Sequence, residues 1–325
     1  MCLEFEFIRK EQYNCIENVL ATLMKTLDRE YELMFAKAWG FTMIPSEISE
    51  DDLIGYRIGG GEYKVWECLE TYYNVNSQLC DSENHLEQIQ ILDEELSKGR
   101  QVVLEIDGFY TPWKDVANKY HLGHYCLVVN KDKKENSYGC IDPYENSLIN
   151  PLPKENLEKG HARCITLKMN DPIEPQLDWQ DILVNAAKTI LIKEDAISGV
   201  DGMRALAKRI KRHFDIAREI EGYEEMIWVA PIILRLSDIG SRRLNFSECL
   251  IKLHEHTGIE ELLEFAQRVE KTGWDWRRVR RTIVTSADDR DNDYKSTIAN
   301  MIEMIADKEE TIAKDILDFA NRMRT

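Results

Sequence analysis

Among its eight cysteines (Cys2, Cys15, Cys68, Cys80, Cys126, Cys140, Cys164, Cys249) the 325-residue chain has no Cys-x-x-Cys pair and no even framework. This argues against a paired-thiol zinc or redox motif and against a disulfide-stapled secreted fold. With no signal-peptide pattern at its start, the expectation is a cytoplasmic protein with reduced thiols. No apolar run reaches the ~18 residues that a membrane-spanning helix needs. Excess positive charge is lacking too: 42 Lys and Arg against 59 Asp and Glu leave a net charge of −17. That balance argues against a general nucleic-acid binder and against docking on an anionic membrane. Gly59-Gly60-Gly61 is followed by no Gly-Lys-Ser/Thr and sits in no GxGxxG register. These glycines read as a turn, or as a place of close backbone approach, rather than as a phosphate loop. No internal repeat is detectable, and no resident cofactor is expected.

What is present is enough apolar material for a full core, 43% hydrophobic residues in 38.0 kDa, and a length that suggests two domains. Met1 to Arg9 alternates as a short strand would, with Leu3, Phe5 and Phe7 set against Glu4 and Glu6. From Cys15 the run CIENVLATLMKTL carries apolar residues at helical spacing, with Asn14 as a favourable N-cap. A second helical run is expected from Arg29 to Trp39, stopped by Gly40, then a loop with Pro45 and an acidic patch, then a helix from Glu62 to Tyr73. Val75 to Leu79 reads as a strand, Glu83 to Lys98 as a helix, and Arg100 to Asp107 as a strand. Gly123 to Tyr144 reads as a β-hairpin, Asn146 to Gly160 as a proline-marked connection, and Ala162 to Met169 as a closing strand.

Asn170 to Gln176, with two prolines and two acids, is the boundary signal, giving domains 1–172 and 173–325. Beyond it the pattern is helical: Asp178 to Ile192, Val200 to Glu221, Tyr223 to Asp238 interrupted at Pro231, Leu244 to His256 after a Ser241-Arg242-Arg243 turn, Ile259 to Lys271, Trp274 to Ser286, and Asp291 to Arg324. The apolar face of the last helix is expected to pack on its own chain, with a homodimer seam as the alternative. The fold class is therefore α+β followed by an all-helical C-terminal region.

Chemistry enters through three residue types. Cys15 falls in the first turn of its helix, where the positive end of the helix dipole favours an anionic sulfur. His124 opens the first hairpin strand and Asp142 closes the second, which places an imidazole beside a carboxylate. A nucleophile, a base and an orienting acid are the components of covalent catalysis. The order, a Cys at a helix N-terminus followed by a His at a strand start and an acid on the next strand, is that of papain-like enzymes. The bland alternative reads Cys15 as a small hydrophobe, His124 as a satisfied strand residue and Asp142 as a turn former before Pro143. His121 competes with His124, which is preferred because strand alternation fixes its side. His121, His124 and Cys126 lack a second ligand pair at zinc spacing, so no metal site is expected. Tyr110, Trp113 and Tyr120, in the loop before His124, are candidate walls of a substrate groove.

These pieces resemble the N-terminal papain-like domain of the butirosin biosynthesis protein H family, acyltransferases of antibiotic-type natural-product pathways. The likeness is carried by Cys15 with Asn18-Val19-Leu20 behind it and by the strand Val102 to Asp107 followed by Tyr110, Pro112 and Trp113. It continues with His124 leading a valine-rich strand and with Cys140-Ile141-Asp142-Pro143, and spans about residues 10–168. The resemblance implies a papain-like fold and transfer of an acyl group from an acyl carrier protein thioester to a small-molecule amine through acyl-Cys15. Phosphopantetheine would enter only as the carrier's arm. Cys15 N–H and Gln12 or Asn14 would then face the oxyanion. An acidic enzyme would need a local basic patch for the carrier, with Arg242, Arg243, Arg277 and Arg278 as candidates. A cysteine peptidase, amidase or thioester hydrolase is the alternative with water as acceptor, and a non-catalytic scaffold is the third reading.

Overall fold

In chain order the elements are α1 (Cys15–Thr26), β1 (Thr42–Met43), β2 (Ile58–Gly59), α2 (Val65–Tyr73), β3 (Val75–Leu79), α3 (His85–Ser97), β4 (Val102–Asp107), β5 (Gly123–Asp132), β6 (Ser137–Ile141), β7 (Ile149–Pro153), α4 (Lys154–Lys159) and β8 (Arg163–Met169). Helices α5 (Trp179–Leu191), α6 (Gly199–His213), α7 (Ile216–Glu219), α8 (Pro231–Thr257), α9 (Glu261–Asp288) and α10 (Tyr294–Met323) follow. The computed structural model describes residues 4–44, 53–80, 82, 84–173, 178–192, 197–289 and 294–324. The acidic patch expected after Pro45 lies outside them. The composition is α+β, 58% helix and 14% strand. Two compact units form: Met1–Tyr31 with Leu69–Pro175, and Glu32–Cys68 with Gln176–Thr325. The segment Glu32–Cys68, placed by sequence with the first half, thus groups with the helical half.

The first unit is built on a six-stranded sheet in the order β3-β8-β4-β5-β6-β7, antiparallel at every pairing. Side chains alternate across strands, so Val102, Leu104, Ile106, Cys126, Val128 and Cys140 form one face, closed by Ile89 and Leu92 of α3 and Leu157 of α4. Val103, Leu127 and Ile141, the alternating set, are also buried, and α1 packs against β5.

Two expectations fail in this unit for identifiable reasons. Residues 4–9 form no strand. Instead the amides of Glu6, Ile8 and Lys10 donate to Thr26 Oγ1 (3.1 Å), Thr22 Oγ1 (2.9 Å) and Asn18 Oδ1 (3.0 Å). Two residues of extended chain and four of helix advance by nearly the same length, so the period-2 segment finds its partners along α1. The connection 146–160 holds β7 and α4 instead of loop. β7 is an edge strand, and an edge tolerates Pro151 and Pro153 where an interior strand would lose ladder bonds.

Arg29 to Trp39, which straddles the two units, yields only a 3-10 turn over Glu32–Phe35. Leu33, Met34, Phe35 and Ala36 are consecutive and all buried, so no polar face exists for an amphipathic helix to show to water. The break expected at Ser241-Arg242-Arg243 is absent, since α8 runs unbroken with Pro231 at its first turn. The break expected before Trp274 is absent too. Gly273 serves as a contact point: a Cβ there would meet Gly240 O at 2.9 Å and Leu244 Cδ2 at 2.8 Å, so glycine lets α8 and α9 approach closely. The expected helix Val200 to Glu221 breaks at Phe214 into α6 and the short α7. The apolar face of α10 packs on α5, α6 and α9 of its own chain, with Ile298, Ile302, Ile305, Ile312, Ile316 and Phe319 buried.

Candidate functional site

Position 15 is set by a stiff helix start. Asn14 Oδ1 accepts the N–H of Glu17 at 3.0 Å while Glu17 Oε2 accepts the N–H of Asn14 at 2.8 Å, a complete capping box. Asn18, buried, adds a latch: its Nδ2 donates to the carbonyls of Tyr13 and Asn14 at 3.1 and 3.2 Å. Cys15 is the first residue of α1 and half-buried. The amide oxygen of Asn14 is thus committed to the cap. Gln12, half-buried in the turn before the helix, stays close to Cys15 in the chain.

The hairpin brings the other two groups together. His124 Nε2 lies 2.7 Å from Asp142 Oδ2, with the side chains 2% and 0% exposed. Cys15 is near enough to the His124 ring to act on its charge. With Nε2 on the carboxylate, Nδ1 is the nitrogen left for the sulfur. Burial alone would push the imidazole down, but Asp142 and Cys15 outweigh it and hold His124 up at about 9. Burial raises Asp142 in turn, yet His124, Trp113 and Lys114 together hold it below the ordinary carboxylate value. The geometry thus favours an imidazolium held between an acid and a sulfur.

Trp113 has a partner beyond its expected place in the loop. Its Nε1 donates to Asp142 Oδ2 at 2.7 Å, so it is a second donor on the oxygen that holds His124, and no spacing in the sequence signals this. Asp142 Oδ1 is buried and has no partner among the described residues. Tyr125, one residue past His124 and so on the opposite strand face, lies across the ladder from Glu105. Burial, Glu105 and Cys15 push its phenol up to about 12. Lys114 pairs with Glu145 and lies 5.3 Å from the Tyr144 ring centroid.

His121 is not part of this group. Its Nδ1 lies 2.5 Å from Asp107 Oδ2. Tyr110 packs edge-on against Phe109 at 5.0 Å, beside that pair. Tyr120 is half-buried in the same loop. Among the described residues no cluster of His, Cys, Asp and Glu is arranged to hold a metal ion.

The basic candidates are mostly structural. Arg243 is fully buried: its Nε and Nη2 donate to Glu309 Oε1 and Oε2 at 2.9 Å each, and its Nη1 donates to Gly40 O at 2.6 Å. Trp39 and Trp276 complete the Glu309 carboxylate at 2.9 and 3.0 Å. Arg242, 8% exposed, donates to Asp238 Oδ2 at 2.9 Å and to the carbonyls of Gly61 and Glu62 at 3.2 and 3.1 Å. Both are removed as carrier contacts, because a guanidinium turned into a core cannot meet a partner's phosphate. The role of the glycine triplet is also explained, since a Cβ on Gly60 would fall 2.3 Å from Arg242 Cδ. Arg277 lies over Trp274, 4.9 Å from the ring centroid, which leaves Arg278 and Arg281 as the exposed cations of that run.

No family model matches the chain, and no curated protein matches it.

Proposed function

We propose that the protein is a cysteine-dependent acyltransferase, with Cys15 as nucleophile, His124 as proton carrier and Asp142 as its orienting acid. The observation that carries the reading is the buried imidazole held by Asp142 at 2.7 Å, with Cys15 near enough to act on its charge. A buried, ion-paired histidine at the leading end of a helix that carries a half-buried thiol is a costly arrangement to keep for packing alone. In the first step the Cys15 sulfur attacks a thioester carbonyl. A new C–S bond forms, the old one breaks, and His124 gives its proton to the departing thiolate. The developing oxyanion meets the Cys15 backbone N–H, one of the donors a helix start leaves without an intrahelical partner. An amine then attacks acyl-Cys15, forming the C–N bond and releasing Cys15, while His124 takes the amine proton.

The substrate class, a phosphopantetheine-borne acyl group and a small-molecule amine, is supported by the resemblance to the butirosin biosynthesis protein H family over residues 10–168, as is a papain-like fold for the first unit. The test is product analysis after incubating the protein and Cys15→Ala with S-acetyl-N-acetylcysteamine, with and without a primary amine. Wild type is expected to form the amide, and Cys15→Ala to form none above background. Acetate alone, whatever the amine concentration, would make the protein a hydrolase instead.

A further inference from the structure

The loop before β5 holds a second imidazole–carboxylate pair that the chemistry at Cys15 does not use. His121 is 66% exposed, and an exposed side chain ordinarily keeps its rotamer freedom. This one is held twice: Nδ1 lies 2.5 Å from Asp107 Oδ2, and the ring stacks on Phe109 at 4.4 Å with 7° between planes. Asp107 is itself fixed, its Oδ1 accepting the N–H groups of Phe109 at 2.9 Å and Leu122 at 3.2 Å. In the neutral ring Nδ1–H points to Asp107, so Nε2 is the open acceptor. It belongs to a groove of about 370 Å³ whose polar lining is Glu105, Asp107, His121, His161 and Arg163.

The groove adjoins the candidate site. Strand register pairs Asp107 with Gly123, Ile106 with His124 and Glu105 with Tyr125, and Gly123 is itself part of the lining. Tyr125, the cross-strand partner of Glu105, is near enough to Cys15 to feel its charge. Two carboxylates face one guanidinium, and Arg163 is already bound to Glu105 at 2.8 Å. The carboxylates of the lining outnumber its guanidinium, an arrangement that suits a cation better than an anion.

We propose that this groove is the acceptor subsite, holding an amine-bearing molecule beside acyl-Cys15, with His121 Nε2 accepting a hydrogen bond from the acceptor. This rests on the acyl-transfer reading. Glu105 provides the opposite charge for an ammonium group of the acceptor, and the uncharged amine attacks. The C–N bond forms, the Cys15 C–S bond breaks, and the amine proton passes to His124 and then to the sulfur. His121 binds and positions, which raises the effective concentration of amine against water.

The test is partitioning of acetyl-Cys15, loaded from S-acetyl-N-acetylcysteamine, between 1,3-diaminopropane and water. His121→Ala is expected to lower the amide-to-acetate ratio at least tenfold below saturation and to raise the diamine concentration needed for half-maximal amide. His121→Gln, whose amide oxygen can replace Nε2 as acceptor, is expected to recover part of the ratio, and inorganic phosphate is expected not to compete. A His121→Ala ratio equal to wild type, or competition by phosphate, would overturn the subsite while leaving Cys15 as nucleophile. Failure of wild type to form acetyl-Cys15 at all would overturn both.

Discussion

At the scale of single residues, the decisive feature is that two donors converge on one carboxylate oxygen. Trp113 and His124 both reach Asp142 Oδ2 at 2.7 Å, so the indole fixes the orientation of the acid that orients the base. A hydrogen bond to a charged group contributes about 1.5–3 kcal/mol. Trp113→Phe, which keeps a ring in place, is therefore expected to slow Cys15 acylation about ten- to a hundredfold, and to slow it no further in an Asp142→Ala background. Equal losses in both backgrounds, measured by single-turnover kinetics, would mean that Trp113 acts through packing. The same charges govern stability against pH. His124 is raised from 6.5 to about 9, so its contribution is complete below pH 6.5 and is lost as pH climbs through about 9. Asp142 is lowered from 3.8, so its contribution is complete above that value and is lost in more acidic solution. Thermal unfolding at pH 6 and pH 9.5 is expected to show a larger fall for wild type than for His124→Gln, and parallel falls would contradict the ion pair.

At the scale of elements, the sequence was most legible where one local rule decided the outcome. The Asn14 cap, the amphipathic spacing after Cys15, and the β-branched run after His124 all formed where those rules place them. That legibility is also why Cys15, His124 and Asp142 were visible as candidates. Misreadings came where a local signal served a tertiary purpose. Gly273 resembles a helix stop but lets α8 and α9 touch. Pro151 and Pro153 resemble loop markers but occupy a sheet edge. The alternation at residues 4–9 resembles a strand but is spent on the side chains of Asn18, Thr22 and Thr26. Trp113 could not be assigned from spacing, because its partner is 29 residues away, at the far end of the β5–β6 hairpin.

At the scale of the molecule, each unit buries a charged pair. The first is a sheet with apolar residues buried on both faces and the His124–Asp142 pair buried with them. The helical unit encloses an ion pair, Arg243 with Glu309, saturated by Trp39, Trp276 and Gly40 O. Removing one member of a buried pair leaves an uncompensated charge, at about 3–5 kcal/mol, whereas replacing both with apolar residues is close to neutral. Arg243→Met and Glu309→Met are each expected to destabilise by roughly that amount, and the double substitution to recover most of it in urea unfolding. A double mutant no better than the worse single one would show that the pair does not act as a unit. A charge reversal at Arg243 would accordingly report on folding, not on carrier docking.

The central claim is that the Cys15 sulfur, His124 and Asp142 act together on an acyl group. Intact-mass spectrometry with peptide mapping, after brief exposure to S-acetyl-N-acetylcysteamine, tests it most directly. Wild type is expected to gain one acetyl group on the peptide carrying Cys15, more slowly in His124→Gln and not at all in Cys15→Ala. No gain, or a gain shared among the cysteines at random and indifferent to His124, would contradict the account.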